Sequence, residues 1–120
     1  MIKVLVVDDA PSQMELISFY LRESGYRVIQ ASNAKEALKK TVEQKPDVIV
    51  TDVVMSGMNG FQLCRSLKRN PATCKLPVVL CTGRDQKLDR IWGIRQGADM
   101  YLTKPFTKEE IVKAIRSVVS

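Results

Sequence analysis

Short apolar runs rich in β-branched residues recur at residues 2–7, 27–31, 47–52, 77–81 and 99–103, and an amphipathic stretch follows each. This alternation constrains the fold more than any other feature of the chain. Val4-Leu5-Val6-Val7, Val48-Ile49-Val50-Thr51 and Val78-Val79-Leu80-Cys81 do not alternate apolar with polar residues. Strands covered on both faces read in this way. A series of strand–helix units implies an α/β fold: a parallel sheet with right-handed crossovers and helices on both faces.

The intervening stretches carry helical stripes. Met14, Ile17 and Leu21 share one face, as do Ala34, Ala37, Leu38 and Thr41, and Leu63, Cys64 and Leu67. Leu88, Ile91 and Trp92 form the expected inner face of a fourth helix, and Ile111, Ala114, Ile115 and Val118 that of a fifth. Asn33 with Glu36 and Thr107 with Glu110 have capping-box spacing. Gly25 and Gly97 fall just past helix ends, where a left-handed residue is wanted. No repeat, linker or low-complexity segment interrupts the 120 residues, so a single domain, 1–120, is expected.

Several function classes drop out. The chain has no histidine, which removes His-based general base catalysis and Ser-His-Asp triads. Cys64, Cys74 and Cys81 form no C-x-x-C pair and read as free thiols rather than a zinc site. No apolar run reaches the ~18–20 residues of a membrane helix, and no signal peptide opens the chain, so a cytoplasmic protein is expected. The net charge is +6, yet basic residues form no dense run with interleaved aromatics. Direct nucleic-acid binding is therefore not expected. Lys87, Arg90 and Arg95 read as a solvated face, with partner docking as the alternative.

The strand ends carry the chemistry. Asp8 and Asp9 follow the first run and Asp52 closes the third; Thr82 follows the fourth, and Lys104 follows the fifth, before Pro105. In open α/β sheets ligands bind beyond the carboxyl ends of the strands. Carboxylates crowded there repel one another; two charges 4 Å apart cost about 4 kcal/mol at an effective dielectric of 20. Lys104 offsets part of this. A hard divalent cation, best Mg2+, offsets the rest. A carboxylate held between Mg2+ and an ammonium can attack phosphorus and become an acyl phosphate. Asp52, alone on its strand, is the expected nucleophile, with Asp8 and Asp9 as metal ligands.

These residues resemble the CheY-like receiver domains of two-component response regulators. The resemblance rests on Val7-Asp8-Asp9, on Asp52 followed by Met55 and Gly60, on Thr82-Gly83, and on Tyr101-Leu102-Thr103-Lys104-Pro105-Phe106. It implies the flavodoxin-like three-layer sandwich with strand order 2-1-3-4-5. It also implies phosphorylation of Asp52 by a histidine kinase, with Mg2+ held by Asp8 or Asp9, Asp52 and the backbone carbonyl of Val54. A cis bond between Lys104 and Pro105 comes with it. So does a switch pair, Thr82 and Tyr101: phosphate draws Thr82 inward, Tyr101 follows, and the surface of the fourth helix, fifth strand and fifth helix changes. The stretch 85–98 resembles the regulators of pilus-driven twitching motility, the PilG and PilH type, which implies a pilus or chemotaxis-like pathway and a CheA-like kinase.

Two positions depart from the family pattern. Met55-Ser56-Gly57 stands where relatives often read Met-Pro-Gly, which bears on loop stiffness. Val54 stands where many relatives carry a polar residue, which bears on access of hydrolytic water. With no output domain after residue 120, the effect is expected to pass by binding a downstream protein or relaying phosphate, and no turnover of an external substrate is expected. The competing reading is a small phosphatase working through an aspartyl phosphate, but Asp8-Asp9-Ala10 lacks the spaced D-x-D of that class.

Overall fold

The computed structural model describes residues 1–83 and 87–119, with the side chains of residues 87–89 left aside. The described residues alternate strand and helix without exception: β1 (Lys3–Val7), α1 (Pro11–Glu23), β2 (Arg27–Ala31), α2 (Ala34–Gln44), β3 (Val48–Asp52), α3 (Gly60–Arg69), β4 (Val78–Thr82), α4 (Lys87–Arg95), β5 (Met100–Thr103) and α5 (Lys108–Val118). The strands form one sheet in the order β2-β1-β3-β4-β5, and every neighbouring pair is parallel. Asp52 closes its strand, as expected, and Thr82 proves to be the last residue of β4 rather than the first residue after it.

The doubly apolar strands are explained by two cores. Leu5, Val7, Ile49, Val78 and Leu80 face one cluster, closed by Ala34 and Ala37 of α2 and Leu63, Cys64 and Leu67 of α3. Val4, Val6, Val48, Val50, Val79 and Cys81 face the other, closed by Met14, Ile17 and Leu21 of α1 and Ile111 and Ile115 of α5. Successive strand residues point to opposite faces, so each strand feeds both clusters.

Local signals place the helix ends. Thr107 and Glu110 form the expected reciprocal capping box. Asn33 accepts from the Glu36 N–H at 2.8 Å, but the Glu36 carboxylate turns to Lys40 and Ser32 instead of returning the bond. A second reciprocal box, Asn59 with Gln62, starts α3 and was not anticipated. Pro11 opens α1 at the first helical turn, where its missing N–H costs nothing. Gly97 follows α4 in the left-handed region, as expected.

The fourth helix departs from its expected stripe. Ile91 and Trp92 are exposed, and Leu88 lies outside the described side chains. Among the described residues of α4 the buried position is Gly93. A methyl added there would lie 3.0 Å from Leu80 Cδ1, 3.2 Å from Tyr101 Cδ2 and 3.3 Å from Phe61 Cε1. The helix therefore seats its backbone against the sheet at a residue with no hydropathy to show. Gly93→Ala forces the Tyr101 ring outward; we expect a loss of about 1–3 kcal/mol in urea unfolding, the usual cost of overpacking, with increased solvent exposure of a tyrosine.

The cysteines are free thiols, as expected. Burial pushes the Cys64 thiol up to about 11 and the Cys81 thiol up to about 12. Reactivity needs an accessible thiolate. Ellman's reagent should therefore titrate one thiol promptly in the native protein, the half-exposed Cys74, and all three in denaturant.

Candidate functional site

Parallel strands bring Asp8, Asp52, Thr82 and Lys104 to one edge because each stands at or just past the carboxyl end of its strand. The central place of β3 puts Asp52 between β1, which leads into Asp8 and Asp9, and β4, which ends in Thr82. Carboxylate oxygens of Asp8, Asp9 and Asp52 all lie within 4.8 Å of one another. Asp8 is buried, Asp52 half-buried and Asp9 exposed, so the cluster opens to solvent on one side.

Lys104 reaches back over the edge from the end of β5. Its ammonium donates to Asp8 Oδ2 at 3.3 Å and to Asp52 Oδ1 at 3.1 Å. Its backbone N–H donates to the Thr82 carbonyl at 2.7 Å, which ties the end of β5 to the end of β4. The Lys104–Pro105 bond is cis, as the sequence resemblance implied.

Burial pushes the Asp52 carboxyl above its ordinary value, and the facing Lys104 ammonium only partly opposes this, with the Asp8 charge adding to the rise. Burial alone would lower the Lys104 ammonium, but the Asp52 and Asp8 charges together hold it above its ordinary value. The sign for stability follows. Lys104 contributes stability that is complete below its unfolded value of 10.5 and is lost only as pH rises through the higher folded value. Asp52 behaves oppositely at neutral pH: its raised value favours the folded state below 3.8, and that advantage is gone once pH has risen through the folded value. Ionised Asp52 is thus held at a cost that additional positive charge at the site would offset.

The loop after β3 is built around the cluster. The Ser56 N–H donates to Asp9 Oδ2 at 3.0 Å, and Gly57 adopts a left-handed φ of 74°. Val54 is largely exposed beside this loop, at 59% of its full surface. Gly60 packs directly on the backbone under Asp52: a Cβ there would clash with the Asp52 carbonyl and lie 2.8 Å from Val53 Cα.

Tyr101 and Thr82 are both buried. The Arg90 guanidinium lies 5.1 Å from the Tyr101 ring centroid and donates to Thr103 Oγ1 at 2.7 Å. Arg90, expected to be a solvated side chain, is therefore a packing partner of Tyr101. Its cation–π contact joins residues eleven positions apart on different elements, and no local sequence pattern announces it. Lys87 has no described side chain, and Arg95 is exposed, as expected.

The donor set fits a hard cation. Three carboxylates, with no nitrogen or sulfur ligand in the cluster among the described residues, suit Mg2+ better than softer metals. A carboxylate at the end of a central strand, an ammonium bridging it to a second carboxylate, and a hydroxyl residue on the next strand form a phosphoryl-transfer arrangement. Comparison with known proteins agrees. The model of the response regulator receiver domain matches residues 4–116. The chain belongs to the receiver domain family of response regulators. It is 40% identical to the protein PilH of Pseudomonas aeruginosa over 120 residues, covering 100% of this chain and 99% of that one. It is 38% identical to the alkaline phosphatase synthesis transcriptional regulatory protein PhoP of Bacillus subtilis, of whose length the matched segment is 48%. The chemotaxis response regulator CheY4 of Vibrio cholerae has the same fold, with a TM-score of 0.92 at 33% identity over 99% of both chains.

This receiver domain carries its acidic cluster where the sequence analysis placed it, with Lys104 as the expected counter-charge. No helix among the described residues is long and apolar enough to cross a membrane.

Proposed function

We propose that this receiver domain, taken as one unit over residues 1–120, accepts a phosphoryl group on Asp52 from a histidine kinase in a Mg2+-dependent step. One observation carries the proposal: the Lys104 ammonium bridges Asp8 and Asp52 inside a three-carboxylate cluster. Asp8, Asp9, Asp52 and the backbone carbonyl of Val54 would hold the ion. When bound, Mg2+ supplies positive charge opposite the phosphoryl oxygens. An Asp52 oxygen attacks phosphorus; the bond from phosphorus to the donor nitrogen breaks as the bond to the Asp52 oxygen forms. Lys104 stabilises charge on the transferred group, and the Thr82 hydroxyl donates to one of its oxygens. The domain catalyses only its own modification and the later hydrolysis.

Leu16 and Phe19 of α1 support a docking place for the donor, because both are exposed apolar side chains on the helix that follows Asp8 and Asp9. Leu16 also shares a concavity with Lys104, Pro105 and Phe106. A CheA-like kinase is the donor proposed, with cytoplasmic location and a pilus or chemotaxis pathway, on the strength of the likeness to PilH and CheY4. The output is a protein partner that reads α4, β5 and α5 as Thr82 and Tyr101 rearrange. Among the described residues no observation favours the phosphatase alternative.

The test is incubation with acetyl phosphate and Mg2+, followed by intact mass. We expect one phosphoryl adduct, lost on adding EDTA beforehand. A protein that stays unmodified with Mg2+ present, or that turns over a phosphoester continuously, rules the proposal out. Val54→Asn should shorten the adduct's half-life about tenfold, equivalent to 1.36 kcal/mol of barrier, by replacing an exposed apolar side chain with one that can position water.

A further inference from the structure

Three arginines converge on the groove between α3 and α4, at the end of the sheet opposite the acidic cluster. Arg65 and Arg69 are exposed on α3, and Arg95 is exposed on the last turn of α4. With Lys68, Trp92 and Gly97 they line a concavity of about 410 Å3. Lys68 is already engaged, 2.9 Å from Asp99 and donating to the Leu76 carbonyl. Arg65, Arg69 and Arg95 have no carboxylate partner among the described residues. The Trp92 indole is half exposed on the same groove.

The helix ends alone do not account for this. A helix C-terminus carries roughly half a negative charge, so two of them complement about one cation. Arg65 and Arg69 also stand four residues apart on one helix, a like-charge spacing that is mildly destabilising. Uncompensated guanidinium groups around a concavity are arranged for an anion. Their planar donor forks match phosphate oxygens two at a time. A lone phosphate, only a few water molecules in volume, would leave most of the groove empty. The indole face adds a stacking platform for a flat ring, and the volume lies in the range of small-ligand sites.

We propose that the α3–α4 groove binds a nucleotide, with its base on Trp92 and its phosphates on Arg65, Arg69 and Arg95. The site is separate from Asp52 and needs no Mg2+. Trp92 is the only tryptophan in the chain, so its emission reports on this groove directly.

The experiment titrates the full chain with ADP, GDP and inorganic pyrophosphate in EDTA, following Trp92 emission. We expect saturable quenching by a nucleotide in the micromolar range, weaker binding by pyrophosphate, and affinity that falls steadily with added salt. Arg69→Ala and Arg95→Ala should each weaken nucleotide binding about tenfold while leaving acetyl-phosphate labelling of Asp52 intact. Both side chains are exposed, so the variants should fold; circular dichroism checks this. Absence of saturation through millimolar nucleotide overturns the proposal. So does pyrophosphate binding as tightly as either nucleotide, quenching unaffected by both substitutions, or a poly-glutamate peptide that binds where nucleotides do not.

Discussion

Asp52→Asn abolishes the phosphoryl adduct, because an amide oxygen is no nucleophile toward phosphorus at neutral pH. The same substitution is expected to leave the metal-free protein at least as stable as the parent. Burial already penalises the ionised Asp52 carboxylate, and Asn removes that charge while Lys104 keeps Asp8 at 3.3 Å. Mg2+ separates the two proteins further. It should raise the melting temperature of the parent, since an ion at one hundred times its dissociation constant contributes about 2.7 kcal/mol. The Asn variant, with one ligand fewer, should gain clearly less. Differential scanning calorimetry with and without Mg2+ reads both effects. An adduct of unchanged mass on the Asn protein would move the phosphoacceptor away from Asp52.

Gly60→Ala should be the most damaging single-methyl change in the molecule. The added carbon meets backbone rather than a flexible side chain: it clashes with the Asp52 carbonyl oxygen and lies 2.8 Å from Val53 Cα. The Gly60 N–H donates to the Val53 carbonyl at 2.9 Å, so the start of α3 cannot retreat without losing that bond. We expect a loss of about 3 kcal/mol, the upper end of ordinary overpacking, in denaturant unfolding. Phosphorylation should also slow, because the clash displaces the strand end that carries the nucleophile. By contrast Gly25→Ala, where a Cβ meets nothing within 4 Å, should suffer only the penalty of a left-handed φ.

Much of this was legible in the chain. Buried strands advertise themselves by unbroken β-branched runs, and their number and spacing dictated the layers. The acidic residues were legible because they interrupt those runs at the strand ends. The fourth helix was misread because its seat is Gly93, whose contribution is the side chain it lacks. The Asn59–Gln62 cap has the same spacing as the other two boxes and stands just before the Leu63, Cys64 and Leu67 stripe, so it was legible and overlooked. The bonds from Ser56 to Asp9 and from Arg90 to Thr103, and the Arg90–Tyr101 stack, join residues that only the finished fold brings together. The basic groove is of the same kind: Arg65 and Arg95 are distant in sequence and carry no shared pattern.

The hydrogen bond from Ser56 to Asp9 makes one carboxylate serve two masters. One oxygen of Asp9 steadies the lip of the cleft, while the side chain also belongs to the set that would embrace a cation. An ion that drew on Asp9 would therefore pull on the same backbone that carries the exposed Val54.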